Sequence, residues 1–240
     1  MDGQRLSISK NSSKSSSISY LVTLEHVDEI MEILKRELRD YEEFQNQKWK
    51  KIKKTPFTVL VSCLLSLRTK DEVTIESSIR LLSKYRTPKD MAKADVKEIE
   101  KLIYPVGFYK TKARRIKEIS KLLVENYNGK VPDSFDELIK IKGIGRKTAN
   151  IVMMYGYDRE DYLAIDTHCH RIPNRIGWIK TNTPEETERE LKKKLPKKYW
   201  KDFNHLFVRF GQRICLPISP KCSECPIEKF CKKIGVDRHR

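Results

Sequence analysis

The sequence contains no long hydrophobic run. The longest, at residues 59–67, falls well short of the roughly 20 apolar residues that a membrane-spanning helix needs. The first residues also lack the apolar stretch of a secretory signal. We therefore expect an intracellular protein without membrane contact, in the cytoplasm and nucleoid of a prokaryote or the nucleus of a eukaryote. Thiols stay reduced there, which disfavours disulfide bonds among the six cysteines.

Acidic residues are few compared with basic ones. The 240 residues include 50 lysines and arginines against 33 aspartates and glutamates, which gives a formal net charge of +17. Such an excess favours a polyanionic partner, because binding to a phosphate backbone releases counterions. The same excess is equally compatible with charge that serves solubility, so charge alone does not identify the partner.

Strand-like alternation is also absent, and the chain is predicted to be all-α. Six apolar residues share one helical face near the start: Leu24, Val27, Ile30, Met31, Leu34 and Leu38. Polar and acidic residues mark the starts of further helices. These patterns predict helices near residues 56–67, 71–85, 96–103, 110–127, 132–140, 146–156, 167–176, 184–194 and 198–213. Residues 1–19, rich in serine and lysine, are predicted to form a disordered tail.

Residues 138–150, LIKIKGIGRKTAN, have the pattern of a helix, a glycine turn and a second helix. Gly143 and Gly145 can adopt positive φ and let another backbone approach closely. The N–H groups of the turn and of the next helix's first turn can then bind an anion, and Lys142 and Arg146 add positive charge. Lys147 places an amine in the same first turn, which suggests chemical attack on a bound nucleic acid.

Residues 102–113 repeat this pattern, with leucine, isoleucine, glycine, a basic residue and alanine at matching positions. The basic residue is Lys110. This first copy lacks the second glycine and is the poorer phosphate cradle. Phe108 and Tyr109 are expected at its exposed turn, where aromatic side chains can wedge into a base stack. An ordinary helix–turn–helix corner explains this copy equally well.

Four cysteines lie close together near the C-terminus with the spacing C-x6-C-x2-C-x5-C: Cys215, Cys222, Cys225 and Cys231. Zinc and an iron–sulfur cluster are the candidates for this site. Zinc sites usually pair two C-x2-C units, whereas this spacing contains one, so an iron–sulfur cluster is favoured. Cys63 and Cys169 are predicted to be packing residues.

The hairpin segment, the sequence IDTH at residues 165–168 and the cysteine spacing, in this order, resemble the endonuclease III family of helix–hairpin–helix DNA glycosylases. The resemblance covers about residues 24–231. It implies a six-helix domain at residues 50–160 that carries the hairpin. Residues 20–49 would pack with residues 161–240 as a second domain, in which the four cysteines hold a structural [4Fe-4S] cluster. A monomer would bind damaged duplex DNA across the cleft.

The resemblance also implies roles for individual residues. Lys147 would be the nucleophile and Asp166 the essential carboxylate of a bifunctional glycosylase and AP lyase. Such an enzyme removes oxidised or damaged pyrimidines and cleaves 3′ to the abasic site by β-elimination. Only a neutral amine can attack, so we expect a lowered Lys147 pKa. Asp166 could also be merely the N-cap of the following helix, although that reading does not explain the family's spacing between Asp166 and Lys147. Arg68 stands where the family often has a glutamine that fills the gap left by the flipped base.

Two other interpretations remain open at the level of sequence. A mismatch or adenine glycosylase would share the cysteine loop, but such relatives commonly carry serine or tyrosine in place of Lys147. A non-catalytic DNA-binding protein would use the hairpin as a phosphate grip and the cysteines as a zinc staple. An RNA-binding role lacks a recognisable single-strand module.

Overall fold

The computed structural model describes residues 24–240, and within residues 40–46 it describes the backbone only. This part of the chain forms eleven α-helices and no β-strand, so the predicted all-α fold is confirmed. The helices are α1 (Val27–Trp49), α2 (Pro56–Ser66), α3 (Asp71–Lys84), α4 (Pro88–Lys93), α5 (Val96–Ile103), α6 (Tyr109–Asn126), α7 (Phe135–Lys140), α8 (Arg146–Ile151), α9 (Thr167–Ile176), α10 (Pro184–Lys194) and α11 (Trp200–Arg213). None of them is long and apolar enough to cross a membrane. The predicted disordered tail lies outside the described residues.

Side-chain caps determine where many of the helices begin. Several start after a residue whose side chain accepts a hydrogen bond from a first-turn N–H: Thr55, Thr87, Asp95, Ser134 and Thr183. Proline is the first residue of α2, α4 and α10. An N–H group at this position has no acceptor within the helix, so its absence in proline costs no hydrogen bond. Helix α4 is absent from the predicted set, because its six residues are too few to show apolar periodicity. The capping box of Thr87 and Asp90 is the signal that identifies it.

Two other predicted boundaries are wrong. Helix α7 begins at Phe135 and not near residue 132, because Ser134 caps it. The helix predicted over residues 146–156 is α-helical only to Ile151 and then continues as a π-helical turn, Val152–Gly156. At the end of this turn a Cβ on Gly156 would lie 2.9 Å from the Cα of Pro56, so the first residue of α2 packs directly against the glycine backbone.

The buried apolar side chains form two clusters. The first cluster lies within residues 57–153 and contains the packed faces of α2, α5, α6 and α8. The second cluster combines α1 with residues 163–227, and its centre includes Phe203 and Phe207, whose rings stack with centroids 4.1 Å apart. From residue 24 onward, the chain therefore starts in the second cluster, builds the first, and returns to the second after about residue 160.

Two helical hairpins lie in the first cluster, as the internal repeat predicts. Helices α5 and α6 are joined by residues 104–108, and helices α7 and α8 by residues 141–145. The second hairpin lies where the chain leaves the first cluster, and α9 begins soon afterwards in the second cluster. This connection brings the start of α8 close to the start of α9.

Candidate active site

The two glycines of the turn between α7 and α8 differ in backbone conformation and in surroundings. Gly143 has a φ of +99°, and a Cβ there would lie 2.7 Å from Cδ of Arg115. Gly145 does not use the positive φ that is open to glycine: its φ is −92°, because it is the N-cap of α8, where extended backbone is normal. A Cβ on Gly145 would meet no atom within 4 Å.

The same turn exposes its polar backbone and its basic side chains. Lys142, Gly143, Gly145 and Arg146 are all exposed, whereas Ile144 is buried and anchors the turn to the first cluster. Gly145 has no side chain that could accept hydrogen bonds from the first-turn N–H groups of α8. These N–H groups have no partner within a helix, so they can bind an anion from outside.

Lys147 and Asp166 form an ion pair at the junction of the two hydrophobic clusters. The Lys147 Nζ donates to the Asp166 Oδ2 at 3.2 Å. The lysine side chain is 32% exposed and the aspartate side chain 10% exposed, so the pair is largely buried but reachable from solvent. Helix α8 presents the lysine in its first turn, and the aspartate immediately precedes α9.

Asp166 is both the partner of Lys147 and the N-cap of α9. Its Oδ1 accepts hydrogen bonds from the backbone N–H groups of His168 and Cys169, each at 2.9 Å. Its Oδ2 faces Lys147. Asp166 therefore acts both as the N-cap of α9 and as the partner of Lys147. The capping hydrogen bonds fix the direction of the carboxylate.

The pKa of Lys147 shifts in the direction opposite to the one expected from the sequence. Burial is the largest single influence and disfavours the charge on Lys147, but the attractions of Asp166, Cys63 and Cys169 and the hydrogen bond to Asp166 together raise the Lys147 pKa. The expected lowering is therefore wrong for the free protein. Burial also opposes ionisation of Asp166, yet Lys147 and the backbone N–H of Cys169 hold the Asp166 pKa below its usual value. Lys147 is thus an ammonium group with its proton directed at a carboxylate.

Two buried asparagines that sequence reasoning missed hold the segment before Asp166. The Asn150 side-chain amide donates to the Leu163 carbonyl at 3.0 Å. The Asn204 amide donates to the Ala164 carbonyl at 2.9 Å. Helices α8 and α11 therefore each hold one of two consecutive backbone carbonyls. These contacts fix the position of Asp166 relative to Lys147. Polar amides on otherwise apolar helix faces are the signal that could have identified both residues.

Arg146 lies in an ion-pair network. Its guanidinium donates to Glu188 Oε2 at 3.2 Å and lies 4.8 Å from the ring centroid of Phe135. Lys192 contacts the other oxygen of Glu188, also at 3.2 Å. The buried Glu188 belongs to α10, so this network links the hairpin to the helices of the second cluster. Sequence reasoning missed Glu188, which lies 42 residues from Arg146.

The predicted wedge residues differ in exposure. Arg68 is exposed, and Phe108 is 64% exposed with its ring centroid 5.9 Å from the guanidinium carbon of Arg68. Lys110 is exposed too, with its Nζ 6.0 Å from the centroid of the Tyr109 ring. Tyr109 is not at the exposed turn: it opens α6 and packs partly buried against the first cluster.

A cavity of about 560 Å³ opens beside Arg68, between the α2–α3 loop and the end of α11. Asp71 and Gln212 line it. Burial raises the pKa of Asp71, and a hydrogen bond from Gln212 opposes this shift.

The four clustered cysteines line one cavity of about 30 Å³. Arg175 NH1 donates to the Cys215 Sγ at 3.4 Å, and the backbone N–H of Lys233 donates to the Cys231 Sγ at 3.4 Å. Burial raises the pKa of the Cys225 thiol to about 11 and also raises that of Cys231. Within residues 24–240, no three histidine, cysteine, aspartate or glutamate side chains are placed to hold one metal ion. Cys63 and Cys169 are fully buried outside this cavity, so their prediction as packing residues is confirmed.

Comparison with known proteins gives one family match and many relatives. Residues 61–197, which include Lys147 and Asp166, match the family model described as HhH-GPD superfamily base excision DNA repair protein. Endonuclease III of Thermotoga maritima is 52% identical over 177 residues, covering 74% of this chain and 83% of that protein. Endonuclease III of Bacillus subtilis is 35% identical over 179 residues, covering 74% and 81%. The chain spans about half of the chloroplastic endonuclease III homolog 1 of Arabidopsis thaliana, with 42% identity and 48% of that protein covered.

Solved structures show the same architecture. A trapped covalent endonuclease III–DNA intermediate matches with a TM-score of 0.69 and 32% identity, covering 81% of this chain and 95% of that chain. A thermostable thymine-DNA glycosylase matches with a TM-score of 0.65 and 22% identity, covering 82% and 96%. The second likeness concerns the fold alone.

Proposed function

The chain belongs to the endonuclease III family, within the HhH-GPD superfamily of base excision DNA repair proteins, and we propose that it excises damaged pyrimidines through a covalent imine on Lys147. It is a DNA glycosylase with AP lyase activity, as is characteristic of the family. The observation that carries the proposed mechanism is the 3.2 Å contact between Lys147 Nζ and Asp166 Oδ2. A solved relative described as a trapped covalent intermediate with DNA supports it.

The proposed reaction starts with proton transfer. The Lys147 ammonium gives its proton to Asp166, which passes it on to water and is anionic again, and the neutral amine attacks C1′ of the damaged nucleotide. The glycosidic bond breaks and the base leaves with the bonding electrons and takes a proton from solvent. The anionic Asp166 stabilises the cationic sugar that develops as this bond breaks. The C1′–O4′ bond of the amino sugar then breaks, O4′ takes a proton, and the nitrogen lone pair forms the protonated imine at C1′. Loss of the C2′ proton from the resulting imine then expels the 3′ phosphate by β-elimination.

The hairpin is proposed to hold the DNA backbone beside this pair. Its exposed turn combines outward N–H groups with Lys142, and Gly145 leaves free space in front of them. A phosphate bound there lies next to the first turn of α8, which carries Lys147. Damaged duplex DNA is therefore the proposed partner, and Arg68 and Phe108 are proposed to enter its base stack. A repair enzyme acts where DNA is stored, so the proposed location is intracellular.

The four clustered cysteines are proposed to bind a [4Fe-4S] cluster. They line one cavity whose other walls include Ile172 and Phe210, and N–H donors reach two of the sulfurs. Burial raises the thiol pKa of Cys225 and Cys231, so a cationic centre would hold these two sulfurs as thiolates. Zinc sites usually pair two C-x2-C units, whereas the spacing of these four cysteines contains one, which favours an iron–sulfur cluster over zinc. When bound, the cluster supplies a structural crosslink. Iron and acid-labile sulfide analysis of the purified protein tests this assignment.

The two hydrophobic clusters support the proposed division into domains. Residues 50–160 form the proposed hairpin domain, and residues 20–49 together with 161–240 form the proposed iron–sulfur domain. Lys147 belongs to one and Asp166 to the other, so the reactive pair is assembled across the boundary.

A cleavage assay tests the proposed substrate class. The full-length protein should release the base from a duplex containing thymine glycol and cut the strand 3′ to the lesion. Borohydride added during the reaction should trap a covalent protein–DNA adduct. Base release from a thymine–guanine mismatch or an adenine mismatch, without release of thymine glycol, would favour a mismatch or adenine glycosylase and contradict the proposal.

A further inference from the structure

Two loops next to the cavity at Arg68 pack backbone against backbone. They are residues 67–70, between α2 and α3, and residues 104–108, between α5 and α6; together they form the loop pair. The Gly107 N–H donates to the Thr69 Oγ1 at 3.2 Å. A Cβ on Gly107 would lie 2.6 Å from the Arg68 carbonyl oxygen, so only glycine permits this approach.

The loop pair presents Arg68 and Phe108 in an unusual backbone conformation. Their φ values are +52° and +58°, in the left-handed region. This conformation is strained for a residue other than glycine, so the surroundings must hold it in place. The two exposed side chains lie together, with the guanidinium carbon of Arg68 5.9 Å from the Phe108 ring centroid.

Lys112, in the first turns of α6, joins the two loops. Its Nζ donates to the Leu65 carbonyl at 2.7 Å, to the Leu67 carbonyl, and to the Thr69 Oγ1 at 3.0 Å. All three N–H donors of the ammonium are therefore used at the C-terminal end of α2 and in the loop that follows. Burial lowers the pKa of Lys112 to about 8.

We propose that Lys112 is a positioning residue for DNA distortion, which holds Arg68 and Phe108 as one rigid unit that fills the space left when a damaged nucleotide leaves the duplex. This inference rests on the proposed function. If Arg68 and Phe108 are already ordered, they lose little conformational entropy when they enter the DNA base stack. More of the free energy of their contacts with DNA is then available to separate the stacked bases. Without Lys112, Arg68 and Phe108 would have to be ordered during binding.

The test uses single-turnover base release by the full-length protein on two duplexes. In the first, thymine glycol lies opposite adenine, so an orphaned base remains when the lesion leaves. In the second, the opposite nucleotide is an abasic analogue, which leaves no base for the wedge to contact. The variants are Lys112→Met, Lys112→Arg and the matched control Lys117→Met. Lys117, on the same helix, donates to the Ala94 carbonyl at 2.6 Å, away from the loop pair.

Lys112→Met should release the base about tenfold more slowly from the first duplex, equivalent to losing one charge-assisted hydrogen bond, and less than about twofold more slowly from the second. Lys112→Arg should recover much of this loss, and Lys117→Met should match the wild type on both duplexes. Thr69→Val removes a hydrogen-bond acceptor of Lys112 and should also slow base release from the first duplex only. This variant replaces Lys112→Met in the test if Lys112→Met does not fold.

Equal slowing on both duplexes, or no slowing on either, would overturn the inference, because a positioning role for the wedge must depend on the orphaned base. A wild-type protein that acts on neither duplex would instead contradict the proposed function.

Discussion

At the scale of single residues, Asp166 shows how one side chain satisfies two requirements. One oxygen caps α9 and the other pairs with Lys147. The resemblance to the endonuclease III family predicts the pair, and the residue type before a helix predicts the cap. The pKa of Lys147 could not be predicted in the same way, because its direction depends on how close the carboxylate lies to the amine.

Two substitutions separate the roles of Asp166. Asp166→Asn keeps an oxygen that can cap α9, so the free energy of unfolding should exceed that of Asp166→Ala by about 1 kcal/mol. Both variants lose the negative charge, and both should lose base release by several orders of magnitude. Chemical denaturation and single-turnover base release measure the two effects. Equal stability of the two variants would contradict the capping role.

At the scale of structural elements, the two glycines of the α7–α8 hairpin have different tasks. Gly143 needs its positive φ and lies against Arg115, whereas Gly145 has ordinary backbone and open space around it. The sequence pattern predicts a glycine turn but treats both positions alike. Only the backbone angles and the neighbouring side chain separate a glycine required by the fold from one required by the ligand.

Alanine should therefore reduce mainly the stability of the protein at position 143 and mainly its affinity for DNA at position 145. Gly143→Ala should lower the free energy of unfolding by about 1–2 kcal/mol, through the strained φ and the clash with Arg115. Gly145→Ala should change it by no more than about 0.5 kcal/mol, yet weaken binding to an abasic-site duplex, because its methyl group stands where a phosphate approaches. Thermal unfolding and binding titrations measure both effects. Wild-type DNA affinity in Gly145→Ala would contradict the phosphate role.

At the scale of the whole molecule, the site exists only where the two hydrophobic clusters meet. Lys147 and Arg146 come from the hairpin, and Asp166 and Glu188 come from the other cluster. Helix positions and the cysteine spacing are local patterns, so they are readable from the sequence. The ion pair between Arg146 and Glu188 joins residues far apart in the chain, and no local pattern predicts it.

Glu188→Gln should destabilise the protein more than a matched change on the same helix. It removes a buried carboxylate that pairs with both Arg146 and Lys192, and should cost about 1–3 kcal/mol. Glu190→Gln removes a more exposed carboxylate that pairs with two neighbouring lysines, and should cost no more than about 1 kcal/mol. Chemical denaturation of both variants measures the difference. Equal losses would show that the network does not stabilise the junction.

The central claim is that Lys147 forms the covalent bond to DNA, and mapping the trapped adduct tests it most directly. Wild-type protein is reduced with borohydride on an abasic-site duplex, digested, and analysed by mass spectrometry. The deoxyribose remnant should lie on Lys147, Lys147→Ala should give no adduct, and Lys142→Ala should still be labelled at residue 147. Labelling of another lysine in the wild type, or an undiminished adduct in Lys147→Ala, would contradict the account.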